Sequence, residues 1–356
     1  DNHMSDCLSS CDILIGDDEP CFTIAEAGAN HDGSIEKALK LIDAAKESKV
    51  NSIKFQTYKA SKLTTKSAPK YWDDGKNNET QFDVFSKLDG LTNDNWHEIF
   101  EYSKKKDIMC FSTPFDNDSV DLLYSLDVPA FKIASADITD IPLIKFIASK
   151  QLPVFISTGM ASDNEISEAV DSIKNQGNND IIIMHCITSY PTNFEDANLS
   201  IIRSLKNQFH DHVIGFSDHT LGTTAALCST FYGAKCIEKH FTYDKKLSIS
   251  PDHRLSLDVN DFQKLVSELR ISEITRGSEI RTSFSSESEA VKYARRSLVS
   301  KTKIPKGTPI TESMLDVKRP GTGIPPKFFS EIIGSIALVD IDEDTTLEWD
   351  HIQQKQ

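Results

Sequence analysis

No stretch of the 356-residue chain approaches the roughly eighteen consecutive apolar residues that a membrane-spanning helix needs, so a bilayer span is excluded. A basic excess is missing too. Only 39 lysines and arginines face 54 aspartates and glutamates, for a net charge of −15, which argues against nucleic acid or an anionic membrane as partner. An anionic small substrate stays open, because a pocket can be locally basic under an acidic surface. The seven cysteines (Cys7, Cys11, Cys21, Cys110, Cys186, Cys228, Cys236) form an odd set, mostly inside apolar runs such as IMCFSTP and IIIMHCITS, and are expected to be buried free thiols of a reducing compartment. The segment Asp1 to Ser10 lacks the basic and apolar regions of a secretion signal. Met4 reads as the native start and the protein as cytoplasmic.

What is present is an ordinary globular composition, 38% hydrophobic and 26% charged, at a length that suggests one large domain and one small one. Eight short apolar, β-rich runs follow one another: CFTIAEAG (from Cys21), SIKFQTY (Ser52), IMCFSTP (Ile108), AFKIASAD (Ala130), PVFISTG (Pro153), IIIMHCITS (Ile181), HVIGFSDHT (His212) and CIEKHFT (Cys236). Near-continuous hydrophobic runs are typical of strands buried on both faces, as in a parallel sheet. Amphipathic segments separate them, at 35–48, 95–106, 119–126, 141–150, 163–175, 199–209 and 223–232. This alternation predicts an α/β fold, and eight repeats predict a (β/α)8 TIM barrel rather than an open doubly wound sheet. The connection between Tyr58 and Ile108 is longer than the others, and its polar, turn-rich first part is expected to form a loop over the active site. The barrel domain is assigned to 1–275, with Phe262 to Ile274 as its last helix. A polar linker follows at 276–292, then a small domain of short, turn-punctuated units at 293–356.

In a barrel of this kind the C-terminal strand ends form the active-site mouth. The runs end, in order, in Glu26 with Asn30 and His31; Lys54 with Gln56; Ser112 with Thr113; Lys132 with Ser135 and Asp137; Ser157 with Thr158; His185 with Thr188, Ser189 and Tyr190; Ser217 with Asp218 and His219; and Glu238 with His240. Lysines inside apolar strands are costly unless paired. Lys54 and Lys132, with the hydroxyls, describe a receptor for phosphate and carboxylate; the alternative is a buried network with Glu26 and Asp137. His219 and His240 could share a metal ion or serve as hydrogen-bonded structure, with Glu26 and Asp252 as candidate further ligands or acid/base groups. By strand alternation Glu238 shares a face with His240, either as partner of a pocket lysine or with a direct chemical role.

Nine segments in register, AEAGANHDG (Ala25 to Gly33), KFQTYKASKL (Lys54 to Leu63), FSTPFD (Phe111 to Asp116), FKIASAD (Phe131 to Asp137), STGM (Ser157 to Met160), CITSYP (Cys186 to Pro191), GFSDHT (Gly215 to Thr220), EKHF (Glu238 to Phe241) and PDH (Pro251 to His253), resemble the sialic acid synthase family. KRPGTGIPP (Lys318 to Pro326) resembles the same family's antifreeze-like (SAF, β-clip) domain. The resemblance implies condensation of phosphoenolpyruvate with the open-chain aldehyde of an N-acetylated hexose, with release of phosphate. N-acetylmannosamine, giving N-acetylneuraminate, is favoured; the alternatives are its 6-phosphate or the diacetamido sugars that lead to legionaminate and pseudaminate.

Carried over by motif, Lys54, Thr113, Lys132, Ser135, Ser157, Thr188 and Ser217 would hold phosphoenolpyruvate, and Gln56 and Tyr190 the sugar. His219 and His240 would bind Mn2+ or Mg2+, Glu26 would activate a water, and Asp252, Glu238 and Asp137 complete the catalytic set. Arg319 would reach the partner subunit's site, which implies a domain-swapped homodimer. Asp137 stands where many bacterial members have glutamate, and Thr188 where some have asparagine. Heptulosonate and octulosonate phosphate synthases, a rival reading, have no place for KRPGTGIPP. A non-catalytic carbohydrate- or ice-associated protein would leave the barrel-mouth inventory unused.

Overall fold

The structure is a computed structural model that describes residues 14–354. Met4, Cys7 and Cys11 lie outside the described residues. The chain divides into two compact units, the first ending at Gly277 and the second beginning at Ser278.

The first unit is a closed barrel of eight parallel strands in chain order: β1 (Phe22–Gly28), β2 (Ser52–Thr57), β3 (Met109–Pro114), β4 (Phe131–Ile133), β5 (Val154–Ser157), β6 (Ile181–Cys186), β7 (Val213–Asp218) and β8 (Cys236–His240), with β8 closing on β1. Around it run α1 (Ile35–Glu47), α2 (Ala60–Leu63), α3 (Gln81–Leu88), α4 (Asn93–Lys105), α5 (Asn117–Ser125), α6 (Ile141–Ser149), α7 (Asp163–Lys174), α8 (Ser200–Gln208), α9 (Thr224–Ser229) and α10 (Val259–Arg276). Helix starts follow the local chemistry: α3, α4, α7 and α10 each open on a reciprocal capping box, Thr80 with Asp83, Thr92 with Asn95, Ser162 with Glu165 and Asp258 with Asp261.

Alternation divides every strand into an outer and an inner set. The outer set (Ile53, Phe55, Ile133, Ile156, Ile183, Phe216, Ile237 and others) packs against the helices in one continuous core. The inner set changes character along the barrel axis. At the N-terminal end Ile15, Phe22, Ile24, Met109, Phe111, Phe155, Ile182, Met184 and Val213 form a separate apolar plug, with Phe111 and Phe155 ring centroids 5.1 Å apart. One inward position later, about 7 Å further along, the inner residues are polar. The fold thus builds a dry floor under a polar chamber.

The long second connection is not irregular throughout: it contains α2 and α3, and α3 packs Val84 and Leu88 with Ala29 and Tyr58 into a satellite core. Cys21, Cys186 and Cys236 are buried thiols, as expected, whereas Cys228 is exposed on the outward face of α9. Among the described residues no helix is long and apolar enough to cross a membrane.

The second unit opens with an exposed stretch containing α11 (Ser288–Tyr293). Two small antiparallel pairs follow, β9 (Ser297–Ser300) with β10 (Leu315–Lys318) and β11 (Ile336–Ala337) with β12 (Ile352–Gln353), along with α12 (Phe329–Ile332). Its own core holds Leu298, Ile304, Ile310, Ile324, Ile332, Ile341 and Leu347.

Candidate active site

A cavity of about 280 Å³ opens at the C-terminal end of the barrel. Each strand delivers an inward polar side chain to it: Glu26 from β1, Lys54 and Gln56 from β2, Thr113 from β3, Lys132 from β4, Ser157 from β5, Cys186 from β6, Ser217 from β7, and Glu238 and His240 from β8. Ser135 and Asp137 follow β4 in a 3-10 turn, Thr188 and Tyr190 follow β6, His219 follows β7, and Asp252 comes from the loop after β8. Every barrel residue given a role by the resemblance therefore lines one chamber. Arg319 lies in the second unit, exposed, just after β10 and before a cis peptide bond to Pro320.

Two lysines and two glutamates occupy the chamber floor. Lys54 Nζ lies 2.5 Å from Glu26 Oε2 and 3.3 Å from Glu238 Oε2, and donates to Thr113 Oγ1 at 2.8 Å. Lys132 Nζ lies 3.3 Å from Glu238 Oε1, which also accepts from Ser217 Oγ at 2.7 Å. The buried network foreseen as an alternative is present, but with Glu238 rather than Asp137 as the partner of Lys132. Asp137 sits one turn above, beyond the end of the strand.

The four groups titrate very differently. Burial opposes charge on Glu238, yet Lys132 and Lys54 outweigh it and hold the carboxyl well below the usual range. Burial dominates at Glu26, which keeps one close lysine and is pushed up to about 7. Burial lowers the pKa of Lys132, while that of Lys54 is raised because two carboxylates outweigh its burial. With Glu26 protonated the set carries a net positive charge, the condition for attracting an anion.

A glycine at a bulge aims Glu26. The β1–β2 register slips between Glu26 and Gly28, which has φ 54°, and a Cβ there would stand 2.9 Å from Glu26 Oε1. Gly159 is equally constrained, since a Cβ would meet Thr188 Oγ1 at 2.3 Å and Ser135 Oγ at 2.8 Å. Ser135 Oγ accepts from Gly159 N at 3.0 Å, whereas Ser157 Oγ, Thr188 Oγ1 and Asp137 Oδ2 are buried without a hydrogen-bond partner. Buried polar atoms left unmade are expensive, so this wall is built for a polar occupant.

The two imidazoles face each other with ring centroids 5.2 Å apart. His219 Nδ1 donates to the Ile187 carbonyl at 2.8 Å, which turns Nε2 away from that carbonyl; His240 Nδ1 has no hydrogen bond and lies 3.5 Å from Asp252 Oδ2. Burial pulls His240 down to about 4. At His219 burial is outweighed by Cys186, whose sulfur is 3.7 Å away, and by the Ile187 carbonyl, so its pKa rises to about 9. Among the described residues no set of three histidine, cysteine or carboxylate ligand atoms at the cavity lies within 4.8 Å of one another. The one such set, Glu348, Asp350 and His351, belongs to the second unit, where His351 Nδ1 caps the Glu348 amide.

Other polar residues at the strand ends point outward. Ser112 bonds Thr57, Thr158 bonds the Met184 carbonyl, His185 bonds the Ala197 carbonyl, and Asp218 pairs with Lys239 at 3.0 Å in a buried bridge outside the chamber. His31 packs against Trp96 and Phe55. Conversely, the opposite wall went unnoticed: Leu63, Tyr71, Trp72, Val84, Phe85 and Leu88, all from the long second connection, line the cavity. Tyr71 and Trp72 lie in the very stretch read as a loop over the site.

The profile of the NeuB family matches residues 41–281, and that of the SAF domain residues 295–353. The chain is 38% identical to the N,N'-diacetyllegionaminic acid synthase of Legionella pneumophila, over 95% of this chain and 96% of that one. It is 35% identical to a pseudaminic acid synthase of Campylobacter jejuni, over 91% and 94%. The crystal structure of an N-acetylneuraminic acid synthetase from Leptospira borgpetersenii, in complex with citrate, superimposes with a TM-score of 0.69 at 36% identity, over 78% of this chain and 93% of that chain. A closed eight-stranded barrel with a polar mouth, followed by a SAF domain, matched along nearly the whole length by such relatives, makes this chain a member of the NeuB, or sialic acid synthase, family.

Proposed function

We propose that the protein condenses phosphoenolpyruvate with the open-chain aldehyde of an N-acetylated hexose, N-acetylmannosamine being the first candidate, to give a nine-carbon 2-keto sugar acid and phosphate. The observation that carries this reading is the chamber floor, where Lys54 and Lys132 stand below hydroxyls that have no partner of their own. Lys54, Lys132, Thr113, Ser135, Ser157, Thr188 and Ser217 bind the phosphate and carboxylate; Glu238 keeps the two ammonium groups together when no anion is bound.

Carbon 3 of the enol attacks the aldehyde carbon and forms the new C–C bond. Water then adds to C2, and the tetrahedral adduct expels phosphate by C–O cleavage. Glu26, with its pKa near neutrality, takes a proton from that water. Asp252 and Asp137 handle the proton that reaches the new hydroxyl, and Gln56 and Tyr190 orient the sugar. His219 and His240, which both line the chamber, would supply two ligands to a divalent cation, Mn2+ or Mg2+, with water or substrate oxygens as the others: His219 is oriented by a backbone carbonyl and would give up its proton when the ion binds, and His240 is held neutral by burial. Such an ion, when bound, supplies Lewis acidity toward the aldehyde oxygen. Arg319 of a partner subunit completes the sugar site in a domain-swapped homodimer.

The apolar wall formed by Leu63, Val84, Phe85 and Leu88 supports an acceptor without a 6-phosphate. Arg254 is the cationic residue on that side of the lining, and its guanidinium bonds the Asp73 carbonyl. The same wall, with the legionaminic and pseudaminic acid synthases among the relatives, favours a second reading in which a diacetamido-trideoxyhexose is the acceptor. Phosphate release measured with phosphoenolpyruvate, Mn2+ and each of four acceptors (N-acetylmannosamine, its 6-phosphate and the two diacetamido sugars) tests both. Turnover is expected with an unphosphorylated acceptor. Release with none of the four would end the proposal.

A further inference from the structure

Of two motifs at the mouth, NHD at residues 30–32 and PDH at residues 251–253, only Asp252 has a role so far. The fold brings them together across more than two hundred residues. The side chain of Asp32 is buried, and its carboxylate accepts from Ser250 N at 3.1 Å, from Lys37 Nζ at 3.0 Å and from His253 Nε2 at 2.9 Å to one oxygen and 3.1 Å to the other. Asn30, also buried, donates through Nδ2 to the Phe241 carbonyl at 2.9 Å and to Ser256 Oγ at 3.2 Å.

These bonds converge on one residue. Ser256 Oγ donates to the carbonyl of Asp252 at 2.6 Å, and the amide of Asp252 donates to Ser250 Oγ at 3.3 Å. The backbone of Asp252 is thus gripped on both sides by serines, one anchored by Asn30 and the other by Asp32. His253, the next residue, is pinned by Asp32 on one nitrogen and lies 2.7 Å from Thr242 Oγ1 on the other. The Asp252 carboxylate has no such support of its own: its side chain is partly exposed, with His240 Nδ1 at 3.5 Å.

The geometry points to Asn30, Asp32 and His253 as positioning residues, a clamp from the β1 exit that fixes the Asp252 carboxylate against His240. This inference rests on the proposed reaction for its functional consequence. It requires no contact between the clamp and substrate. A loop after the last strand would otherwise carry Asp252 on a flexible segment, and misplacement of an acting group by about an ångström costs up to about a hundredfold in rate.

The test uses the full-length protein carrying Asp32→Asn, or the milder Ser256→Ala if Asp32→Asn folds poorly. Hydrogen–deuterium exchange by mass spectrometry is expected to show lost protection across residues 250–256 while β1 and β8 stay protected; unchanged protection of that segment overturns the clamp. In turnover assays kcat is expected to fall about tenfold to a hundredfold, as for other residues that support a ligand or acting group. In an Asp252→Ala background the same substitution is expected to cost less than about twofold. Equal, additive losses in both backgrounds would mean that Asp32 acts on the fold at large and would overturn the assignment. A wild-type enzyme that turns over no acceptor would remove the proposed reaction alone, and the exchange arm would then decide the clamp.

Discussion

Glu26 and Glu238 show how far position alone separates two identical side chains. They stand on adjacent strands, both touch Lys54 and both are fully buried, yet one carboxyl is pushed up to about 7 and the other is held far below its usual range. The difference is one more cation and one hydroxyl at Glu238. Asp137 belongs with Glu26: burial pushes it up to about 7, with Asp140 adding to the effect. Between the ordinary carboxyl range near 4 and this value, the folded protein holds a proton at Asp137 that the unfolded chain has lost. Stability from this group is therefore complete at low pH and drains away as the pH rises through about 7. Asp137→Asn is expected to flatten that part of the pH profile. Thermal unfolding midpoints of both proteins at intervals from pH 4 to 8 check it, and parallel curves would show that the carboxyl is not under strain.

At the scale of elements, the eight strands were legible because burial on both faces leaves an apolar signature, and because each run ended in polar residues. The inner and outer sets were harder to separate, since the inventory pooled strand ends without counting parity. Parity counted along each strand, from Thr113 in β3 and from Ser217 in β7, would have sent Ser112 and Asp218 outward, and the structure does so. Of the apolar wall only the covering loop that carries Tyr71 and Trp72 was legible; its other side chains and the grip on Asp252 were not. They depend on contacts between segments far apart in the chain, for which one sequence carries no periodic trace. The bulge in β1 is the element on which the site turns. Gly28→Ala would put a methyl group against Glu26 at a left-handed φ; it is expected to cost about 1–2 kcal/mol in stability and about tenfold or more in kcat. Urea unfolding and steady-state kinetics check the two effects separately, and a variant with unchanged kcat would show that Glu26 needs no such aiming.

For the whole molecule, the proposed trans role of Arg319 makes a prediction that holds for any of the acceptors. Lys132→Ala and Arg319→Ala should each be nearly inactive at low sugar concentration. Co-expressed in equal amounts, they should form mixed dimers in which one site gathers both defects and the other is intact. Activity should then recover to about a quarter of the wild-type value, since half the dimers are mixed and each offers one good site. If Arg319 serves the barrel of its own chain, every site keeps a defect and nothing recovers.

The phenylalanine floor of the barrel carries a further implication for traffic. With Phe22, Phe111 and Phe155 sealing the far end, the chamber is a cul-de-sac. Under the proposed assignment the three-carbon acid is seated against the floor and the sugar nearer the doorway, so the small molecule has to enter ahead of the large one. On the way out the order reverses: the nine-carbon product vacates the passage first, and phosphate, released at the bottom, is the last to leave.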